Sequence, residues 1–515
     1  MPGLEPAPIA SRWVACFAPL LLAGCATSQL DLAPEASDRP VQFETAVNGE
    51  ILPGRSPAPG APAQGYVLPT NSSLASLPAL PTVDAAAVYD LADLIDLAES
   101  HNPETRIAWN AARDVALAAG IARSTYLPRL TATALGGYQT AHGRASTFGL
   151  GSSADTSATG SVSVLSLQWL LFDFGERHAI VESADQATVA ANIAFTGVHQ
   201  RLIHQVSLAF YTYSAARDRS DNASRSLEDA RRVQTAAEER FRRGIGTVVE
   251  VAQAKLATAE ANLFQVRARG AMDDGYANLM TAMGFPPLVR MTLASSSQHA
   301  LSPALGNDVE EIISTALGRR PDVLAAYSAL KASLANERAA KAEFLPKVFM
   351  SANTAFATGD LSVTGVPAIG PDQPATLNVT DHRSSGSIMV GITVPLFDGG
   401  TRKALLAQAR TRADTARVAL ERAQDNAIQQ IVLADNALHT GLAAHDAAEE
   451  LRSAAQITFD ATLAAYRNGV GTSTEVLVAE RQLLEARNAY SDSHGAALSA
   501  AATLALATGG LGGSP

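Results

Sequence analysis

Cysteine is almost missing from this chain: 515 residues carry only Cys16 and Cys25, both near the N-terminus. The body therefore has no disulfide framework and no thiolate metal site. Aromatic residues make up only 5% of the chain while alanine is abundant, a balance that suits long thin helices better than bulky cores. Basic character is also lacking. With a net charge of -11 and no basic stripe, nucleic acid is excluded as a partner. No catalytic constellation stands out either: there is no phosphate-cradling Walker loop, no His-Glu-x-x-His and no nucleophile elbow. Gly149 and Gly151 sit in a Ser-rich stretch without the surroundings of a dinucleotide fingerprint. His199 and His204 are five apart, which does not place them on one helix face. No metal, cofactor or enzymatic activity is expected.

What is present begins with a leader. Arg12 precedes the apolar run from Trp13 to Ala23, too short for a transmembrane helix and suited to a signal peptide. It ends in Leu22-Ala23-Gly24-Cys25, which resembles a bacterial lipobox, and the resemblance implies removal of residues 1–24 and lipidation of Cys25. Ala26, rather than Asp, favours outer-membrane sorting in that pattern. An ordinary signal peptide with an incidental cysteine is the alternative. Residues 25–82 are rich in Pro, Ser, Gly and Ala and read as a tether.

The rest is a duplication. Arg243-Gly244-Ile245-Gly246-Thr247 with Glu250, and Asn468-Gly469-Val470-Gly471-Thr472 with Glu475, lie 225 positions apart. Long alanine-rich, charge-studded runs without proline flank both, so each reads as a sharp turn between long helices. Two glycines per turn are expected to supply left-handed backbone for the helix exit. The threonine then caps the next helix, with Glu three residues on closing a capping box. The helices before the turns are expected from Glu176 to Phe241 and from Thr401 to Tyr466, each on the order of 100 Å long at about 1.5 Å per residue. The helix after the first turn carries Val249, Ala252, Leu256, Ala259, Leu263 and Val266, the 3-4 spacing of a coiled-coil seam.

Upstream, Asn102-Pro103-Glu104 and Arg320-Pro321-Asp322 open shorter helices 218 positions apart, with Arg320 the poorer cap. Those helices stop at Tyr126-Leu127-Pro128-Arg129 and Phe344-Leu345-Pro346-Lys347, where proline cannot continue a helix. The texture then alternates. Leu130, Ala132, Ala134, Gly136 and Tyr138 share one strand face, matched by Val348, Met350, Ala352, Thr354 and Phe356. Polar loops follow, roughly Ala141 to Ala158 and Thr358 to Ser385. Returning strands put Leu165, Leu167, Trp169 and Leu171, or Val390, Ile392, Val394 and Leu396, on one face, with Ser166, Gln168, Gly391 and Thr393 on the other. Strands of about ten residues suit a tilted membrane crossing. Residues 83–284 thus form a first repeat, 285–307 a connector, 308–509 a second repeat and 510–515 a short tail.

Four strands cannot close a barrel, and open edges are not tolerated in lipid, so membrane strands here require a barrel shared among chains. Together with Leu171-Phe172-Asp173-Phe174-Gly175 and Leu396-Phe397-Asp398-Gly399-Gly400, the Asn102-Pro103 start, the Leu-Pro stops and the paired turns give the chain its likeness. From about Asp90 to Gly509 it resembles the TolC-type outer-membrane efflux channels. The resemblance implies a mainly α fold with a small membrane β part: a homotrimer whose 12-stranded β-barrel spans the outer-membrane lipid and continues as a long periplasmic α-helical barrel. It further implies a periplasmic adaptor protein and an inner-membrane transporter as partners.

In that family the turns face the adaptor, which makes Gly244, Ile245, Gly246, Thr247, Gly469, Val470, Gly471 and Thr472 the candidate docking residues. Acidic residues after the second turn constrict the pore there. Glu475 matches the first such position and Val478 the second, a departure from the pattern. Glu250 is the repeat partner of Glu475, and for both the alternative is a helix-capping role. The function expected is the exit duct of a tripartite system exporting small toxic compounds. A duct for type I protein secretion and a lipid-anchored coiled-coil protein without a pore are the alternatives.

Overall fold

The computed structural model describes residues 32–34, 37, 41–55, 67–71, 73–74, 81, 83–84, 86–147, 150–295, 309–359, 362–366, 375–378 and 383–512. Cys25, the leader and much of the Pro-rich stretch lie outside them. The chain divides into two units, Met1–Thr82 and Val83–Pro515. The first contains an antiparallel hairpin, β1 (Gln42–Thr45) with β2 (Ile51–Arg55).

The second unit holds both repeats. In chain order they are β3 (Val88–Tyr89), α1 (Leu91–His101), α2 (Pro103–Ser124), β4 (Arg129–Thr147), β5 (Leu150–Phe172), α3 (Glu176–Arg242) and α4 (Val248–Ala282), then β6 (Thr292–Leu293), α5 (Val309–Leu317), α6 (Pro321–Ala342), β7 (Lys347–Gly359), β8 (Ser362–Val366), β9 (Ala375–Asn378), β10 (Arg383–Thr393), α7 (Thr401–Arg467) and α8 (Ser473–Ala507). α3 and α7 are 67 residues each, on the order of 100 Å at about 1.5 Å per residue. The helices form a row, α4 on α3, α3 on α8 and α8 on α7, which closes near the turns, where all four share one core; nearer the strands α2 packs on α3 and α6 lies between α3 and α7.

The helix starts explain why the Leu-Phe-Asp-x-Gly motif recurs. Gly175 and Gly400 are left-handed N-caps, at φ 94° and 91°, with no side chain to cap with. The aspartate two residues earlier does it instead. Asp173 accepts from the Arg177 N–H at 2.9 Å, and Asp398 from the Arg402 N–H at 2.9 Å. Arg177 completes the junction by donating to Asp173 and to the carbonyls of Thr125 and Leu170, so one buried guanidinium ties helix start, strand end and helix stop. Burial opposes the Asp173 charge, but the Arg177 N–H and guanidinium outweigh it and hold its carboxyl below the usual range.

Asn102 caps α2 as expected, accepting from the Glu104 N–H at 2.8 Å, and its Nδ2 donates to the Ala282 carbonyl at the end of α4. Arg320, which makes no side-chain cap, keeps the second of these jobs. Its buried guanidinium donates to the Ala507 carbonyl, 225 residues after Ala282, and to Asp322 and Gln430. Midway along the row, Arg487 on α8 donates to the buried Asp229 of α3, and Asn222 reaches Asn488 and Ser491. Those bonds fix how the two helices slide against each other. The main apolar core sits near the repeat junction, where Leu202, Val206 and Phe210 of α3 meet Leu94, Leu279 and Met280. A parallel β3–β6 pair closes it, an element the sequence did not signal.

Both repeats share one antiparallel sheet, in the order β10-β7-β5-β4. Pairs Leu130↔Leu167, Leu167↔Ala352 and Ala352↔Ile388 place the expected apolar positions of all four strands on one face. Leu130, Leu165, Phe356, Ile388, Val390 and Ile392 are exposed on that face. The opposite face buries Val162 against Ala357. Among the described residues the sheet is open: β4 and β10 each have a free edge.

Three expectations need correction. The polar stretch from Ala141 to Ala158 is not a loop. β4 and β5 stay paired from Arg129↔Gln168 to Thr147↔Leu150, because the Ser- and Thr-containing segments still satisfy every second backbone group across the ladder. In the second repeat β8 and β9 pair within the expected Thr358 to Ser385 loop. Second, Val394 and Leu396 are not in a strand: β10 ends at Thr393, whereas its counterpart β5 continues to Phe172. β5 is held between two neighbours and β10 has one. Third, the seam from Val249 to Val266 does not pack within its own hairpin. α4 turns Ala254 and Ala261 inward and leaves Val249, Leu256, Leu263 and Val266 exposed.

Candidate functional site at the helical hairpin tips

Both turns end their long helix the same way. Arg243 and Asn468 are the last αR residues, and Gly244 and Gly469 follow at φ 74° and 82°, the left-handed exit. The expectation of two left-handed glycines is half right, since Gly246 and Gly471 are not at positive φ. They are small because the chain doubles back closely. A Cβ at 246 would stand 2.9 Å from the Phe241 nitrogen, and one at 471 would stand 3.2 Å from the Ala465 Cβ.

Thr247 and Thr472 cap the outgoing helices, accepting from the N–H of Glu250 at 3.2 Å and of Glu475 at 3.3 Å. The full capping box exists only in the second turn, where the Thr472 N–H donates to Glu475 Oε2 at 2.9 Å. Glu250 is drawn elsewhere. Its Oε2 accepts from the Tyr466 hydroxyl at 3.0 Å, and its other oxygen takes the Thr247 hydroxyl at 3.4 Å.

Tyr466, 1% exposed, is the hub. Arg240 lies over its ring at 4.8 Å and donates to its carbonyl at 3.0 Å and to the Ile245 carbonyl at 3.3 Å. The Arg240 Nε is 3.9 Å from Glu250. Burial, then the Glu250 hydrogen bond, push the Tyr466 hydroxyl up to about 12. Ser473 reaches Gln253 across the same gap, and Val233, Ala237, Phe459, Leu463, Val476 and Leu483 pack behind it. The first hairpin is thus latched to the second by Arg240, Glu250 and Tyr466.

Of the eight candidate docking residues, Ile245 and Val470 present apolar side chains to solvent, Val470 at 83% exposure. Glu475 is exposed and committed to its cap, and among the described residues no bond joins it to the latch. Val478 is partly exposed on the same helix. Arg240 and Tyr466 were not foreseen. The signal was there: their repeat counterparts are Ala465 and Phe241, so the duplication breaks its own pattern where the hairpins meet. His199 and His204 do not converge. One contacts Glu99 of α1 at 3.1 Å and the other Thr503 of α8 at 3.1 Å.

Comparison with known proteins agrees with this architecture. The model of the outer membrane efflux protein family matches residues 94–285 and 312–510, one match per repeat. The chain belongs to that family. It is 28% identical to Protein CyaE of Bordetella pertussis, over 81% of this chain and 83% of that one. Identity to Outer membrane protein OprJ of Pseudomonas aeruginosa is 24%, covering 76% of this chain and 78% of OprJ. Among solved structures, the open state of the Neisseria gonorrhoeae MtrE outer membrane channel superposes with a TM-score of 0.64 at 25% identity, covering 82% of this chain and 89% of that one. The TolC-like fold expected from the sequence is therefore the fold observed.

Proposed function

We propose that three copies of this chain close one β-barrel and form a passive exit duct through the outer membrane, passing small toxic compounds received from an inner-membrane transporter through a periplasmic adaptor. The observation that carries this reading is the open sheet. It exposes a continuous apolar face and two free edges, and in lipid each edge must be paired. Pairing β10 of one copy with β4 of the next supplies the partner without any further element, and a third copy leaves room for a lumen that eight strands would fill with side chains. Aromatic residues gather where the strands meet the helices, with Tyr126, Trp169, Phe172, Phe174 and Phe344 all partly exposed. Such a belt suits the membrane–water boundary. Relatives named for efflux, the outer membrane efflux protein BepC of Brucella suis and the cation efflux system protein CusC of Escherichia coli, support the transport role.

Within this reading Cys25 is acylated and adds an anchor, while the barrel supplies the insertion itself. Replacing Cys25 by Ser should leave the protein extractable only with detergent; release into aqueous buffer would identify a peripheral coiled-coil protein instead. The tips, a long helix away from the sheet, dock the adaptor through Ile245 and Val470 and the exposed turn backbone around them. Val470→Trp should preserve assembly and abolish adaptor crosslinking, and unchanged crosslinking would remove the docking role. Glu475 adds charge to the pore mouth on top of its cap. Because Gln also caps, Glu475→Gln should weaken cation block of single-channel conductance. Undiminished block would confine Glu475 to capping.

A further inference from the structure

One cluster of rings takes no part in the tips or the sheet. His445 of α7 lies against α8, its ring 4.8 Å from that of Tyr490 and 5.3 Å from that of His494. Its Nδ1 is 3.5 Å from the Ser493 hydroxyl, and Arg452 covers Tyr490 at 3.9 Å. His494 is itself buried, and Asp218 of α3 stands near enough to feel its charge. Three helices therefore meet at two imidazoles. The duplication does not supply the pair, since the twins of His445 and His494 in the first repeat are Ser220 and Arg269. His445 precedes Tyr466 by 21 residues, which puts the cluster roughly 30 Å along α7 from the tip latch.

The rings have little room to part. One turn away, Gly441 and Gly495 bring the helices close: a Cβ at 441 would stand 3.1 Å from the Ala497 Cα, and one at 495 would stand 3.4 Å from the Ala215 Cβ. Neutral rings pack well at this separation, whereas two imidazolium rings repel where water screens them poorly. Burial, then the neighbouring His494, hold the His445 imidazole below the ordinary histidine range. Arg452 acts the same way, and Glu449 and Asp446 oppose it without prevailing. On the α3 side, burial and then Asp221 push the Asp218 carboxyl up against the pull of Arg217, His494 and Arg225, so no firmly held counter-charge is available there. On α8, Asp492 is taken by Arg219 at 2.6 Å. Other histidines differ. His199 and His439 stand beside carboxylates, Glu99 at 3.1 Å and Asp435 at 3.5 Å, contacts that a proton strengthens. His204 is held low by burial but meets Thr503, with no imidazole neighbour among the described residues.

We propose that His445 and His494 form an acid-sensitive joint between α7 and α8, closed while at least one ring is neutral and forced apart when both are protonated. The sign follows from His445. A histidine held low in the folded protein contributes fully above its ordinary value of about 6.5, and that contribution is lost as pH falls below it toward the folded value. The joint therefore opens on the acid side only. The core behind the tip turns contains no histidine and stays shut. Nothing in this depends on how many copies assemble.

Thermal unfolding of the full chain in detergent, followed as pH is lowered from about 7.5 to about 5.5 across the ordinary histidine value, tests the pair. The wild type should lose stability over that window. Because repulsion needs both charges, His445→Gln and His494→Gln should each remove it, so their two reductions of the acid loss should sum to more than that of the double variant. Reductions that simply add, or single variants that lose as much as the wild type, overturn the joint. Should a variant not fold, hydrogen–deuterium exchange on the wild type decides, corrected for the pH dependence of the intrinsic rate. Residues 440–452 and 488–497 should lose protection at the acid end while residues 459–466 keep theirs. Unchanged protection at 440–452, or an equal loss at the tip, overturns the joint as well.

Discussion

Tyr466 carries more of the tip than any glycine does. Its hydroxyl is buried and donates to a carboxylate, a bond whose loss costs about 1–3 kcal/mol when the partner is left buried. Tyr466→Phe should therefore lower stability by that order in thermal unfolding, and Glu250→Gln by less, because an amide oxygen still accepts. The sign of the pH effect follows from the raised hydroxyl value. Stability is unaffected below about pH 10, the ordinary tyrosine range, and falls as pH rises toward about 12. A phenolate absorbance titration should show one tyrosine ionising near the top of that window, and its absence from Tyr466→Phe assigns it. Asp173 works in the opposite direction: its carboxyl is held low, so its contribution is present above the usual aspartate range and lost as pH falls through the folded value. The sequence could show that Glu250 and Glu475 were twins. It could not show that one closes a capping box and the other answers a tyrosine 216 residues away, because that choice depends on which hairpins touch.

At the scale of elements, the turns separate two reasons for glycine. Gly244 and Gly469 are needed for φ, so alanine at either should cost about 1–2 kcal/mol. Gly246 and Gly471 are needed for space, and the closer approach at 246 makes Gly246→Ala the more damaging of that pair in a thermal melt. Helix ends, starts and the register of both repeats were legible because prolines, glycines and capping residues act locally: α3 was expected from Glu176 to Phe241 and runs to Arg242. Strand ends were not, because pairing decides them. The Ser-rich segment after Ala141 reads as loop by composition and is ladder by partnership, while Leu396 reads as strand and is 92% exposed for want of a second neighbour. The seam on α4 was likewise visible as a pattern, but its direction was not, since spacing alone cannot say which neighbour a stripe faces.

For the whole molecule, the same incompleteness recurs at the sheet and along the helices. Among the described residues β4 and β10 have free edges, and α4 and α7, the outer long helices, leave stripes of residues exposed. On the proposed reading such a chain is one third of an object in lipid. The most direct measurement is made on the purified full-length protein in detergent and after reconstitution: mass by native mass spectrometry, then conductance across a planar bilayer. A trimer that conducts ions through a single pore per assembly is the predicted result. A stable monomer, or a trimer that inserts and carries no current under any tip variant that breaks the Tyr466 latch, would contradict the duct.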